Sequence, residues 1–299
     1  MRTAILLGAL GLLRLTCPAW SQPLSHPFLC CDNGLNKVFV VSADGRIEWE
    51  YPVNGGQDVW RLPSGNYLLS NVGGAQEVTP AKTVVWEYNA PPGAEVHTCQ
   101  PLSDGSVLIG ECGTKRLIEV DRQGSIRKEI KVETTTPNTH LHFRIARKLA
   151  NGCYLVAQTG ENLVREYGPD GKIVRTIPVP GDPFIALRLP NGNTLIGCGD
   201  GHTLIEVDPT DKIVWRIGEN DLPGIPLRFV AGLQRLPNGN TVVCNWGGHG
   251  HIGEQPLIFE VTPEKKVVWQ VADYEHFRTI SNVQLLDLPG DVTKGEILR

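Results

Sequence analysis

The chain has 299 residues, 28 Lys and Arg against 32 Asp and Glu, and a net charge of −4, with no basic cluster that would give a nucleic-acid binder its electrostatic footprint. Only 20% of the residues are charged, whereas Gly (33) and Pro (22) are frequent. That composition belongs to a folded chain of many turns and short strands and excludes a long disordered tail.

Residues 1–21 read as an export signal. Met1-Arg2 gives a positive start, Ala4 to Leu13 an apolar core, and Ala19-Trp20-Ser21 a small-x-small cleavage site before Gln22. Arg14 cuts the apolar run short of a membrane span. The expectation is a periplasmic or secreted protein, monomeric, with residues 22–299 as a single domain.

Two phrases alternate through that domain. One is a turn followed by Ile or Val and, two positions on, Trp or a long cation: Gly45-Arg46-Ile47-Glu48-Trp49, Lys82-Thr83-Val84-Val85-Trp86, Gly124-Ser125-Ile126-Arg127-Lys128, Gly171-Lys172-Ile173-Val174-Arg175, Asp211-Lys212-Ile213-Val214-Trp215 and Lys265-Lys266-Val267-Val268-Trp269. The other is a Leu-x-x-Gly hairpin ending at Gly65, Gly105, Gly152, Gly192 and Gly239. Strand chemistry repeating at about 40 to 47 residues predicts propeller blades. The fifth unit reads as four strands, Phe184 to Leu189, Asn193 to Cys198, Thr203 to Asp208 and Lys212 to Ile217, separated by turn residues. Residues 28 to 51 match the last three strands of a unit, and Thr279 to Leu288 match the missing first. The fold expected is all-β, a six-bladed β-propeller of four-stranded antiparallel blades whose first blade is closed by both ends of the domain.

Seven cysteines follow the signal segment, mostly at the ends of inner strands, where a buried Cys acts as a small hydrophobe. The adjacent Cys30 and Cys31 are the pair open to a strained disulfide. The Trp residues at the repeat position, Trp49, Trp86, Trp215 and Trp269, are expected to be buried between blades.

Seven of the eight histidines fall on the face formed by the blade connections and the loops between second and third strands. Eight residues before each hairpin glycine, beside the axis, stand Gln57, His97, Arg144, Phe184 and Ala231. Three neighbouring blades thus aim Gln, His and Arg at one concave centre, and the period-2 rule adds His142 and His140 on the same side. Such donors suit an anionic or hydroxyl-rich ligand. Salt bridges from His97, His142 or Arg144 to Glu95 or Glu111 would instead argue against an enzyme. In the loop Trp246-Gly247-Gly248-His249-Gly250-His251, His249 and His251 are further ligand candidates, and no carboxylate or thiolate at useful spacing completes a metal site there.

The Asp-x-x-Gly-Lys-Ile-Val-Trp phrases and Leu-Pro-Asn-Gly-Asn hairpins resemble the quinoprotein-like superfamily of PQQ-like repeats. In its six-blade count the chain is similar to the propeller of bacterial arylsulfotransferases, over residues 28 to 288. In that family a central His accepts the sulfuryl group with help from His, Arg and Asn. The resemblance implies His97, His142 and Arg144 as catalytic candidates and Asn245 as a helper, although the extra N-terminal domain and much of the loop length of that family are missing. Quinoprotein dehydrogenases hold PQQ in an eight-bladed ring beside calcium; six blades and no acid-rich cation loop predict no such cofactor and no metal.

The function expected is an exported propeller binding a small polar or anionic molecule, or a protein segment, on its His-rich face. The alternatives are a transferase or hydrolase using His97 as nucleophile or base, and a scaffold without chemistry.

Overall fold

A computed structural model describes residues 25–299 and contains six four-stranded antiparallel sheets. The expected signal segment lies outside the described residues. None of their helices is long and apolar enough to cross a membrane.

Blade two runs through Val59–Arg61, Tyr67–Asn71, Gly74–Val78 and Val84–Asn89, and blade three through Val96–Pro101, Val107–Glu111, Arg116–Val120 and Ile126–Lys131. Blade four follows with Ala146–Lys148, Tyr154–Gln158, Leu163–Tyr167 and Ile173–Pro178. Blade five has Pro183–Arg188, Thr194–Cys198, Thr203–Val207 and Ile213–Ile217, close to the four runs expected, and blade six has Val230–Arg235, Thr241–Asn245, Ile258–Val261 and Val267–Val271. Each inner hairpin is closed by its glycine. Gly192 donates its N–H to the Leu189 carbonyl at 2.9 Å with φ 87°, a left-handed conformation that a side chain would strain. Second strands such as Val107–Glu111 are buried throughout, while fourth strands such as Ile126–Lys131 are largely exposed. The core therefore lies between blades and around the axis.

Blade one is built from both ends of the domain. Ile280–Leu285 pairs antiparallel with Phe28–Asp32, Phe28 standing opposite Leu285 and Cys30 opposite Val283, and Lys37–Val41 and Ile47–Pro52 complete the sheet. A bulge after Cys31 turns Asp32 toward the returning chain, where its carboxylate accepts the backbone N–H groups of Arg278 at 2.6 Å and Thr279 at 3.1 Å. Cys30 and Cys31 carry free, fully buried thiols. As successive strand residues they face opposite sides of the sheet.

Neighbouring blades are joined by two repeated contacts. The indole N–H of Trp49, Trp86 and Trp215 each reaches a backbone carbonyl in the outer hairpin of the next blade, that of Pro80 (3.0 Å), Asp121 (3.2 Å) and Pro263 (2.8 Å), and Arg175 makes the same contact to Asp208 at 2.8 Å. Trp86 and Trp269 are buried as expected, but Trp49 and Trp215 are only half-buried, because the outer strands leave one rim of the ring in water. The second contact is a third-strand glutamate paired with a cation of the following blade: Glu77 with Arg122, Glu119 with Lys148, Glu166 with Arg188 and Glu206 with Arg235.

At the closing joint between blades six and one the cation is a histidine. His26 Nε2 lies 3.0 Å from Glu260 and Nδ1 lies 2.7 Å from Asp287, while the ring packs edge-on against Trp269. Burial alone would lower the pKa of His26, but the hydrogen bonds to Glu260 and Asp287 outweigh it and raise the pKa above 6.5. A raised folded-state pKa means that this contribution is complete below about pH 6.5 and is lost as pH climbs through the folded value. His26→Gln is therefore expected to cost about 1–3 kcal/mol at pH 6 and less at pH 9, the size of hydrogen bonds to charged groups. Urea unfolding of both proteins at the two pH values checks it. An equal cost at both would contradict the charged state of His26.

Candidate functional site

Three features of local structure assemble the site at one mouth of the axis. Glu95 precedes the first strand of blade three in a left-handed conformation, φ 47°, uncommon for a residue with a side chain. His97 sits in a bulge, since Val96 pairs with Glu111 and Thr98 with Gly110, leaving His97 outside the ladder. Phe184 and Ala231, its counterparts in blades five and six, also fall in register breaks. The repeat thus releases the same inner residue from pairing in three blades. Asn138 caps a short 3-10 turn, Thr139–Leu141, that carries His140 over the mouth ahead of Arg144.

These residues meet. Arg144 donates through Nη1 to His97 Nε2 at 3.1 Å and to the backbone carbonyl of His140. His140 Nδ1 is 2.9 Å from Glu95 Oε2, which stands 3.8 Å from His97 Nε2. The nearby His97 and the hydrogen-bonded His140 hold the Glu95 carboxyl well below its usual value, although His97 Nε2, accepting from Arg144, has no proton there to give it. Burial pushes His97 down to about 4, with Glu95 opposing and Arg144 adding to the shift, so His97 is a neutral acceptor at pH 7. Its Nδ1 is buried without a partner.

Beside this cluster opens a cavity of about 220 Å³. Gln57, His140 and Arg144 form its polar wall, with Gln57 Oε1 buried and unpartnered. Phe184, Phe229, Trp246 and His249 add a cluster of rings to the lining, the Phe229 and Trp246 centroids lying 5.0 Å apart and the Trp246 and His249 centroids 5.0 Å apart, with His249 Nδ1 3.0 Å from Asp200. Asp182 and Asp200 lie on the blade-five side; burial and the nearby Asp200 raise the Asp182 pKa.

Gln57, His140, Arg144 and His249 therefore share one cavity, and His97 lies just behind it. Three expected residues are placed otherwise. His142 is fully buried with Nδ1 2.8 Å from the Cys112 carbonyl; the period-2 argument fails because 139–141 is a 3-10 turn and the first strand begins only at Ala146. Asn245 is also fully buried, accepting from the backbone N–H groups of Arg228 and Phe229 and donating to Pro226. His251 pairs with Glu254 at 2.9 Å and is not among the residues lining the cavity. The ring cluster went unread, since its members come from three separate segments and Trp246 stands outside the repeated Trp position.

The molecule is a six-bladed β-propeller with a small cup lined by polar, acidic and aromatic side chains at one end of its axis. The chain belongs to the family described as Mal s 1 allergenic protein-like, which it matches over residues 37–265. Among solved structures it is similar to a protein of unknown function from Bacteroides caccae, at 34% identity over 87% of this chain and 98% of that one, with a TM-score of 0.80. A streptogramin B lyase (14% identity, 85% of each chain, TM-score 0.60) and a virginiamycin B lyase from Staphylococcus aureus (13% identity, 84% of this chain and 88% of that one, TM-score 0.58) share the fold alone. No protein of curated function matches the sequence.

Proposed function

We propose that this is an exported propeller that binds a small anionic or strongly polar molecule in the axial cup, with Arg144 as its anchor. The observation that carries the reading is the state of Arg144. The side chain lines the cavity, only Nη1 is engaged by protein acceptors among the described residues, and Gln57 beside it holds an unpartnered oxygen. A planar guanidinium with free N–H groups that is itself only 7% exposed favours an oxyanion. The ring cluster in the lining favours a ring attached to it.

Transfer chemistry like that of the arylsulfotransferases has less support. It needs His97 open to a substrate, whereas His97 is 3% exposed, behind Arg144 and close to Glu95. The export reading rests on the leader pattern of residues 1–21.

Calorimetric titration with sulfate, phosphate and an aryl sulfate is expected to show the aryl sulfate binding tightest. Arg144→Gln should weaken it by about tenfold or more, the value of a charge-assisted hydrogen bond, with an unchanged thermal midpoint as the folding control. No heat with any of the three in folded protein favours the scaffold reading.

A further inference from the structure

We propose that Glu95, His97 and His140 form a site for a divalent transition-metal ion of the zinc type, at the edge of the cup. It does not depend on the anion reading, because none of its three donors is the anion anchor.

Glu95, His97 and His140 each offer a ligand atom within 4.8 Å of the other two, the one such trio of His, Cys, Asp or Glu among the described residues. The carboxylate oxygen is 2.9 Å from the His140 nitrogen and 3.8 Å from the His97 nitrogen. Ligand atoms on a tetrahedral zinc with bonds of about 2.1 Å stand about 3.4 Å apart. The two carboxylate–imidazole spacings bracket that value, and the third lies within 4.8 Å, so side-chain adjustments bring all three donors onto one ion. Two histidines and one carboxylate are also the donor set of zinc sites that keep a fourth position open. His140 and Glu95 side chains are 55% and 29% exposed, which gives an ion its way in.

The hydrogen bonding already sets the protonation the metal requires. Nη1 of Arg144 is a donor, so its 3.1 Å contact with His97 Nε2 requires a lone pair there and places the ring proton on Nδ1. The Nε2 lone pair that a metal would take therefore already faces a cation. Two local departures from regular strand, the left-handed Glu95 and the bulge at His97, point the side chains of blade three at that spot. A bound ion displaces Nη1 from His97, and the guanidinium and the ion repel one another. Arg144 is thus a competitor of the metal while being the anchor of the anion, and the two ligands respond to its loss with opposite sign.

The test uses the full chain, stripped with a chelator and titrated with Zn²⁺ by calorimetry, with Co²⁺ absorption as a report on ligand geometry. One ion per chain is expected. Glu95→Gln and His140→Ala, both at the surface and checked for folding by circular dichroism, should each weaken zinc by about 100-fold. Arg144→Gln should tighten it several-fold, and His251→Ala should leave it unchanged. The assignment is overturned if folded protein takes up no zinc, or if zinc binds as tightly to Glu95→Gln and His140→Ala as to the parent. It is equally overturned if Arg144→Gln weakens zinc, since the guanidinium would then be supporting the ion instead of excluding it. Zinc binding with no response to sulfate or aryl sulfate would leave this site standing while ending the anion reading.

Discussion

Removal of residues 280–299 is expected to leave a chain that aggregates or fails to fold. The deleted strand Ile280–Leu285 is the inner strand of blade one and is buried along its whole length. Ile280, Val283 and Leu285 are each no more than 1% exposed, and full burial of such a side chain is worth about 1.5–3 kcal/mol. Three of them account for a large part of the 5–15 kcal/mol by which domains are typically stable. The loss also strips the partner from Phe28–Asp32, exposing a hydrophobic edge of the kind that recruits other chains. The Arg278–Thr279 turn that Asp32 holds is left as a loose chain end, and Asp287, one of the two carboxylates that clasp His26, is gone. Light scattering behind size exclusion, with a thermal melt, reads the outcome. A monomer with an unchanged midpoint would show that the ring does not need this strand.

Asp58→Ala is expected to be the most damaging single substitution at the axis, costing about 3–5 kcal/mol. Asp58 is fully buried and binds Arg147 through two hydrogen bonds, 2.7 and 3.1 Å, while accepting from Asn282 at 3.1 Å. Arg299, also buried, lies 3.9 Å from the same carboxylate and stacks 4.1 Å above the Trp60 ring, with Arg147 4.9 Å from that ring. Burial drives the Arg299 pKa down to about 10, and Asp58 is the charge that opposes this. Without it, two buried guanidinium groups lose the side-chain carboxylate that faces them both, which costs more than the pair itself contributes. Asp58→Asn keeps the volume and some hydrogen bonds, and it should cost less than Ala while remaining clearly destabilising. Urea unfolding midpoints of the three proteins decide it, and a cost below about 1 kcal/mol for Asp58→Ala would mean that Arg147 and Arg299 find water.

The ring was legible because its signals are local and repeated. Hairpin glycines and Val-x-Trp phrases mark strand ends within a few residues of where they occur, and even the split first blade followed from counting strands at Phe28 and Thr279. Counting back from the hairpin glycines singled out Gln57, His97 and Arg144, and Arg144 bonds His97 and lines one cavity with Gln57. His142 did not, because a 3-10 turn at 139–141 breaks the two-residue alternation that placed it. Asn245 resembled a ligand donor, yet its amide closes the loop through Pro226, Arg228 and Phe229. The glutamate joints between blades were hidden by distance along the chain, Glu77 meeting a cation 45 residues on and Glu166 one 22 residues on. Glu95 was foreseen as a possible partner of His97, but its closer contact with His140 was not, because nothing in its neighbours' identities announces a left-handed backbone.

The position of Arg299 makes the propeller a cup and not a pipe. Its guanidinium bonds Asn282 at 3.0 Å and the Val283 carbonyl at 3.1 Å, and its own carbonyl accepts from Arg147 at 2.6 Å, so inner strands of blades one, two and four close around one side chain. The preceding Leu298 bridges to Arg235 of blade six. Gln57 and Ser281 line the cavity one residue before Asp58 and Asn282, which puts this plug directly beneath the cavity floor. A solute held in the cavity would meet this plug beneath it, and its way out would pass the segments around Asn33, His140, Asp182, Asp200 and Trp246 that line the cavity.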